Sequence, residues 1–184
     1  ADLGATVVRR VEGEDPLARN RNDHLFLNGA KVVAVDGART DDDGVVHEWD
    51  DELAGESWPG GPIVLSWEAL DDAGSVAKGG ANVVIHEFAH KLDMGDGVVN
   101  GSPPMSDPEL RERWARVCTG EYEALRHGTA PHVLRDYADT DPGEFFAVAA
   151  EAFFDIPAEL AQHHRHLYGV MRDYFRQDPA ALAG

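Results

Sequence analysis

The chain has a single cysteine among its 184 residues and no apolar run long enough to cross a membrane. Because one cysteine cannot form an internal disulfide, nothing in the sequence indicates an oxidising compartment. We expect Cys118 to be a small apolar residue on a helix. The opening residues also lack the charged, apolar and small-residue order of a signal peptide. These absences predict a cytoplasmic protein with no membrane partner.

Basic residues are few as well. The sequence has 16 Lys and Arg against 34 Asp and Glu, which gives a formal net charge of −18 and a pI near 4.7. Such a surface repels phosphate backbones, and the basic residues form no tight cluster, so we expect no nucleic-acid partner. The same field favours cationic ligands, including the free amino end of a peptide, although acidic surfaces commonly serve solubility.

The length and a hydrophobic share of 43% suit one compact domain. Residues 1–23 are polar and charged without sustained periodicity, so we predict a loosely structured leader there. The predicted domain covers residues 24–184.

Within that domain, strand patterns precede helix patterns. Short β-branched or aromatic runs bounded by Gly, Pro and Asp predict strands at residues 31–36, 45–49 and 62–67. Helical spacing of apolar residues, with Asn82, Asp107 and Asp141 as caps, predicts helices at residues 81–94, 107–127, 141–155 and 164–177. This order predicts an α+β fold, in which a small mixed β-sheet packs on the first of these helices and on the others.

The first predicted helix contains an HExxH pattern at residues 86–90. His86 and His90 are four residues apart, so both imidazoles lie on one helical face and can converge on one metal ion. Glu87 is turned by about 100° around the helix, which places it beside the ion as a general base rather than as a ligand. The alternative is a chance match, but the helical context and the apolar flanks favour a metal site.

A catalytic zinc site generally uses three protein ligands, so one more donor is required. Glu144, at the start of the third predicted helix, is one candidate. Its spacing from Asp141 also fits a capping box, in which the glutamate reaches back to the helix start. Glu151 lies seven residues later on the same face and is a second candidate, or a partner that orients one of the histidines. The residues alone leave these alternatives open.

Several stretches resemble the Mlc titration factor A family of zinc peptidases. They are GESW at residues 55–58, GPIVLSW at 61–67, NVVIHEFAHKLDM at 82–94, NG at 100–101, YADTDPGEFFAVAAEAFF at 137–154 and LYGVMRDYFRQDP at 167–179. The family is distantly similar to the catalytic domain of anthrax lethal factor, which implies a zincin-like fold. The first forty or so residues match the family poorly, and residue 141 is Asp where the family pattern suggests Asn.

Carried over to this chain, the resemblance implies that His86, His90 and Glu144 bind one Zn²⁺ ion and that Glu87 is the catalytic base. It also implies that the phenol of Tyr137 stabilises the oxyanion of the reaction, whereas the residue type alone indicates a half-buried aromatic. The implied activity is that of a zinc-dependent peptidase, namely an aminopeptidase acting on short peptides.

The family name also implies a different class of function, a regulatory protein that sequesters a transcription repressor of the Mlc type, with the zinc site incidental. A structural zinc site would normally be closed by four protein ligands, so an open position beside Glu87 favours the enzyme.

Two further groups of residues are weaker candidates for a role at a metal site. Asp93 is a candidate to orient a ligand imidazole, and the histidines of residues 163–166 invite a second metal, although adjacent side chains on a helix point in different directions.

Overall fold

The computed structural model describes residues 82–182 continuously, together with six short strands nearer the amino end. The strands are β1 (His24–Leu27), β2 (Ala30–Val35), β3 (Ala38–Thr40), β4 (Val46–Glu48), β5 (Gly55–Ser57) and β6 (Ile63–Ser66). Four of them pair in the order β1-β2-β6-β5, with β2 and β6 parallel and the other two pairings antiparallel. Strands β3 and β4 form a separate antiparallel pair. The predicted leader at residues 1–23 lies outside the described residues.

The continuous part is helical over most of its length. Its helices are α1 (Val83–Asp93), α2 (Pro108–Arg126), α3 (Pro142–Asp155), α4 (Pro157–His163), α5 (Arg165–Phe175) and α6 (Pro179–Leu182), with 3₁₀ turns at Met94–Asp96 and Asp136–Asp139. None of these helices combines the length and the apolar character that a membrane span needs.

The prediction of an α+β domain built on a small mixed β-sheet is therefore wrong. Residues 82–182 contain no strand, and the large hydrophobic core is made almost entirely by helices. The strands are only three to six residues long, whereas the buried core described by the structure comes mostly from the helices. Their described buried side chains, Ile63 and Leu65, form a small separate cluster against one face of α1. The pattern of short β-branched runs therefore led us to overestimate the part of the sheet in the fold.

The helix starts were better predicted, because their signals are local. The side chain of Asn82 accepts a hydrogen bond from the Ile85 N–H, as an N-cap should. Asp107 and Asp141 likewise accept from N–H groups in the first turns of α2 and α3, each followed by proline at the first helical position. These three caps are confirmed. Helix α4 was not predicted as a separate element.

Helix α3 forms the centre of the core. Every residue from Phe145 to Phe153 is buried, which is unusual for a helix and requires neighbours on all sides. Trp114 of α2 meets Phe146 edge to face, with ring centroids 5.4 Å apart, and Phe153 stacks on Phe175 of α5 at 5.4 Å. Helix α1 packs along α3, so the HExxH segment and the start of α3 are held side by side.

Candidate metal centre

The two histidines of the HExxH segment lie on the face of α1 that meets α3. His86 Nε2 and His90 Nε2 are 3.1 Å apart, and the two rings are nearly perpendicular, with centroids 4.7 Å apart. Both side chains keep only about an eighth of their surface exposed, at 12% and 13%. The helix thus presents two imidazole nitrogens to one point, as the four-residue spacing predicted.

Glu144 reaches the same point from α3. Its Oε2 lies 3.1 Å from His86 Nε2, and its Oε1 lies 3.3 Å from His90 Nε2. Asp141 caps α3 through the N–H groups of Gly143 and Glu144, which leaves the Glu144 side chain in the first turn, facing the histidines. The structure therefore brings His86, His90 and Glu144 together, although they come from two helices more than fifty residues apart in sequence.

The spacing of these atoms suits a metal ion. Ligand atoms about 2.0–2.1 Å from a tetrahedral zinc ion lie roughly 3.3 Å apart, close to the separations of 3.1 to 3.3 Å found here. Glu144 Oε2 is buried, and the described group that faces it is the His86 ring, with Nε2 at 3.1 Å, so its position favours a cation. Two imidazoles and one carboxylate are also a typical donor set of catalytic zinc sites. The residues present fit a divalent metal.

Without a metal, the same cluster attracts a proton. Burial opposes the imidazolium form of His86, but hydrogen bonds to Glu144 and Glu151 and their negative charges raise its pKa to about 9. Burial also acts against the charged form of Glu144, but hydrogen bonds from His86 and His90 lower the pKa of that carboxyl group to about 2. A divalent cation would therefore compete with the proton on His86 for the same negatively charged site.

Glu151 supports the cluster from the far side of the His86 ring. Its Oε1 lies 2.7 Å from His86 Nδ1, and its side chain is completely buried. Because a carboxylate accepts hydrogen bonds, this contact keeps the proton of the neutral ring on Nδ1, so that loss of the second proton leaves the Nε2 lone pair facing the cluster. Glu151 therefore contacts the Nδ1 side of the ring, whereas Glu144 is the carboxylate that lies near the Nε2 atoms of both histidines.

Glu87 follows His86 on α1, and Tyr137 lies near the His86 ring. Glu87 is 6% exposed, and its backbone carbonyl accepts a hydrogen bond from Ser57 Oγ at 2.7 Å, which ties α1 to β5. Tyr137 is 52% exposed, and its ring centroid lies 6.2 Å from that of His86. The Glu144 carboxylate, partial burial and the charges of Asp141 and Glu87 raise the pKa of Tyr137 above its usual value. The phenol therefore stays protonated and able to donate.

Asp93, a candidate to orient an imidazole, has a different set of contacts. Its buried carboxylate accepts hydrogen bonds from the N–H groups of Asn100, Gly101 and Ser102, at 2.7 to 2.9 Å. The carbonyl of Gly101 in turn accepts from Trp114 Nε1 at 2.9 Å. Asp93 thus anchors the loop that follows α1 and holds it against the start of α3.

The described contacts of the histidines of residues 163–166 do not bring a group of potential metal ligands together. His164 is buried, and its Nδ1 lies 2.8 Å from Glu121 Oε2 of α2. His163 and His166 are exposed. Within the described part of the chain, one group of three or more potential ligands converges, and it is that of His86, His90 and Glu144.

Comparison with known proteins gives the family. A family profile described as glucose-regulated metallo-peptidase M90 matches residues 27–176. The chain is 36% identical over 170 residues to Mlc titration factor A of Yersinia enterocolitica, covering 86% of this chain and 60% of that protein. It is 38% identical over 162 residues to Mlc titration factor A of Salmonella typhi, with coverage of 85% and 60%.

An uncharacterized protein of Synechocystis is 41% identical over 139 residues, covering 73% of this chain and 50% of that protein. The chain thus spans between half and three fifths of the length of these curated relatives. The extent of the profile match and the converging His-His-Glu group lead to one assignment. The chain belongs to the glucose-regulated metallo-peptidase M90 family.

Proposed function

We propose that this chain is a zinc-dependent peptidase in which His86, His90 and Glu144 bind the metal and Glu87 is the general base. The observation that carries the proposal is the convergence of His86, His90 and Glu144. The two Nε2 atoms are 3.1 Å apart, and each lies 3.1 to 3.3 Å from one oxygen of the Glu144 carboxylate. Three protein donors leave a tetrahedral ion one position for water or substrate, which is typical of catalytic sites.

A zinc ion held there supplies Lewis acidity, which polarises a carbonyl group and acidifies a water molecule. The protein's own groups handle the proton and the developing charge. Glu87, one position after His86 on α1, accepts the proton of the attacking water and returns it to the leaving amine. The phenol of Tyr137, which stays protonated at neutral pH, donates a hydrogen bond to the carbonyl oxygen as negative charge develops on it.

The substrate that we propose is a short peptide with a free amino end. The net charge of −18 favours a cationic ligand, and Asp136, Asp139 and Asp141 are exposed on either side of Tyr137. The sequence resemblance described above also implies aminopeptidase activity. Zinc is the metal that the two-histidine, one-carboxylate donor set favours, although other divalent metals bind the same atoms.

A second candidate function is the binding of a transcription repressor. The names of the Yersinia and Salmonella relatives describe titration of Mlc, and this chain shares 36% to 38% of its residues with them over the aligned region. Under this hypothesis the metal site stabilises the protein and Glu87 has no chemical role. The chain covers 60% of those relatives, so a binding surface in the remainder of their length is a separate question.

The experiment that separates the two functions compares the wild type with Glu87→Gln. Bound zinc and hydrolysis of chromogenic amino-acid and short-peptide substrates are measured on both proteins. We expect stoichiometric zinc in both and a loss of hydrolysis of at least about a hundredfold in the variant. If both bind zinc and neither cleaves any substrate, the peptidase proposal fails and the repressor-binding function is favoured. If the wild type binds no metal, the assignment of the ligands fails as well.

A further inference from the structure

A partly exposed arginine contacts the buried carboxylate behind the metal cluster. Arg135 Nη2 donates to Glu151 Oε1 at 2.5 Å, and the side chains are 40% and 0% exposed. The same oxygen of Glu151 accepts from His86 Nδ1. One carboxylate oxygen is therefore shared between a surface cation and a candidate metal ligand.

The other oxygen of Glu151 is also engaged. Oε2 accepts a hydrogen bond from the backbone N–H of Asn82 at 2.6 Å, at the residue that caps α1. Glu151, on α3, thus joins three parts of the chain: the start of α1, the ring of His86 and the segment that begins at Arg135. The contact with Arg135 brings a permanent positive charge to this buried anion.

Arg135 also lies next to the segment that carries Tyr137. It immediately precedes the 3₁₀ turn Asp136–Asp139, which carries Tyr137. Its contact with Glu151 consequently fastens this turn to α3, in addition to fixing the carboxylate. A change at Arg135 can therefore affect the site in two ways, by changing the orientation of the His86 ring and by moving the phenol of Tyr137.

We infer that Arg135 is a positioning residue for the metal centre, which acts through Glu151 to hold the His86 ring with Nε2 facing the metal. This inference rests on the proposed function, since it takes His86 as a ligand. Arg135 touches neither metal nor substrate in this role. Without the guanidinium group, Glu151 Oε1 loses the hydrogen bond from Arg135 and keeps the contact with His86 Nδ1. The buried anion then loses a positive charge that holds it in this orientation.

The test measures metal affinity rather than activity, because a displaced Tyr137 would reduce turnover by itself. Zinc affinity is determined by competition with a chromophoric chelator for wild type, Arg135→Met and Arg135→Lys, and thermal unfolding of each metal-free protein is followed in parallel. The visible absorption of bound Co²⁺ reports the ligand geometry. A matched control is Arg113→Met, because Arg113 pairs with Asp173 at 2.8 Å between α2 and α5.

We expect Arg135→Met to bind zinc roughly tenfold more weakly, because loss of a partner behind a metal ligand typically lowers metal affinity by about 10- to 100-fold. The absorption spectrum of bound Co²⁺ should change as well. Arg135→Lys should regain most of the affinity, and Arg113→Met should bind as the wild type does. If Arg135→Met lowers only the unfolding temperature and keeps wild-type zinc affinity, the pair is merely structural and the inference is overturned, while the proposed function stands. A wild type that binds no divalent metal overturns both.

Discussion

The two nitrogens of the His86 ring face two different glutamates: Nδ1 lies 2.7 Å from Glu151 Oε1, and Nε2 lies 3.1 Å from Glu144 Oε2. The glutamates are seven residues apart on α3, close to two full helical turns, and therefore lie on the same face. One helix thus supplies both the third candidate ligand and the group that orients the first. The division of roles follows from which side of the ring each carboxylate reaches.

Replacing Glu151 should weaken metal binding although we do not propose Glu151 as a ligand. The variant Glu151→Gln keeps the size of the side chain but removes the negative charge beside His86 Nδ1. Outer-shell partners of this kind contribute about 10- to 100-fold in metal affinity, and we expect a loss in that range in chelator competition.

The control for this change is Glu121→Gln. Glu121 Oε2 lies 2.8 Å from Nδ1 of the buried His164, so the pair reproduces the same contact away from the candidate metal centre. This variant should keep wild-type affinity. Equal affinities for Glu151→Gln and the wild type would rule out the orienting role.

Metal binding should release a proton at neutral pH. The pKa of His86 is raised to about 9 in the metal-free protein, so its ring is protonated at pH 7 and must lose that proton to act as a ligand. The apparent zinc affinity should therefore rise about tenfold per pH unit between pH 7 and pH 9 on account of His86. The pKa of Glu144 is about 2, so it contributes no proton in this window.

Calorimetric titration in buffers of different ionisation enthalpy measures the number of protons released, and at least one per zinc is expected at pH 7. The stability of the metal-free protein has the opposite dependence. A raised pKa in the folded state contributes stability that is full below about 6.5 and disappears as the pH rises through 9. Zinc binding without proton release would contradict this account of the cluster.

The sequence predicted the local features around the candidate site. His86 and His90 are four residues apart on one helix, and the caps at Asn82 and Asp141 set where two helices begin. These features depend on a few neighbouring residues, so pattern and propensity are sufficient to find them. The predicted fold class was wrong because fold class does not depend on neighbouring residues alone. Which elements form the core depends on contacts between distant parts of the chain, and the completely buried run of α3 has no local signal that sets its weight in the core.

The connection from Arg135 to Glu151 could not have been found in the sequence. The two residues are sixteen positions apart, in different elements, and neither forms part of a recognisable motif. Their contact depends on the way the 3₁₀ turn before α3 folds back on that helix. The choice between Glu144 and Glu151 as ligand was open for the same reason, because both lie on one face of α3 and only the packing of α1 decides which reaches Nε2.

The phenol of Tyr137 can be tested separately from the metal. The variant Tyr137→Phe keeps the half-exposed ring but removes the hydroxyl group that we propose as donor to the developing oxyanion. Loss of one such donor typically lowers kcat by about 10²- to 10³-fold. We expect a decrease of that order, with zinc affinity and KM near the wild-type values. A variant with unchanged kcat would show that the tyrosine is only part of the rim of the site.

The loop that follows α1 should be destabilised when a single methyl group is added at Gly101. Gly101 has φ of +72°, and a Cβ atom there would lie 2.1 Å from the carbonyl oxygen of Pro142 at the start of α3. Gly97 has a similar φ of +89° but nothing within 4 Å of its Cβ position. The variant Gly97→Ala therefore measures the backbone cost alone, about 1 kcal/mol, whereas Gly101→Ala adds a steric clash with backbone that must shift.

Chemical denaturation of the metal-free proteins should show Gly101→Ala destabilised by at least about 2 kcal/mol more than Gly97→Ala. Because the clash is with Pro142, two residues before Glu144, Gly101→Ala should also bind zinc more weakly, and Gly97→Ala should not. Equal stability of the two variants would mean that the loop yields to the added methyl group, and that the hydrogen bonds of Asp93 do not hold it firmly against α3.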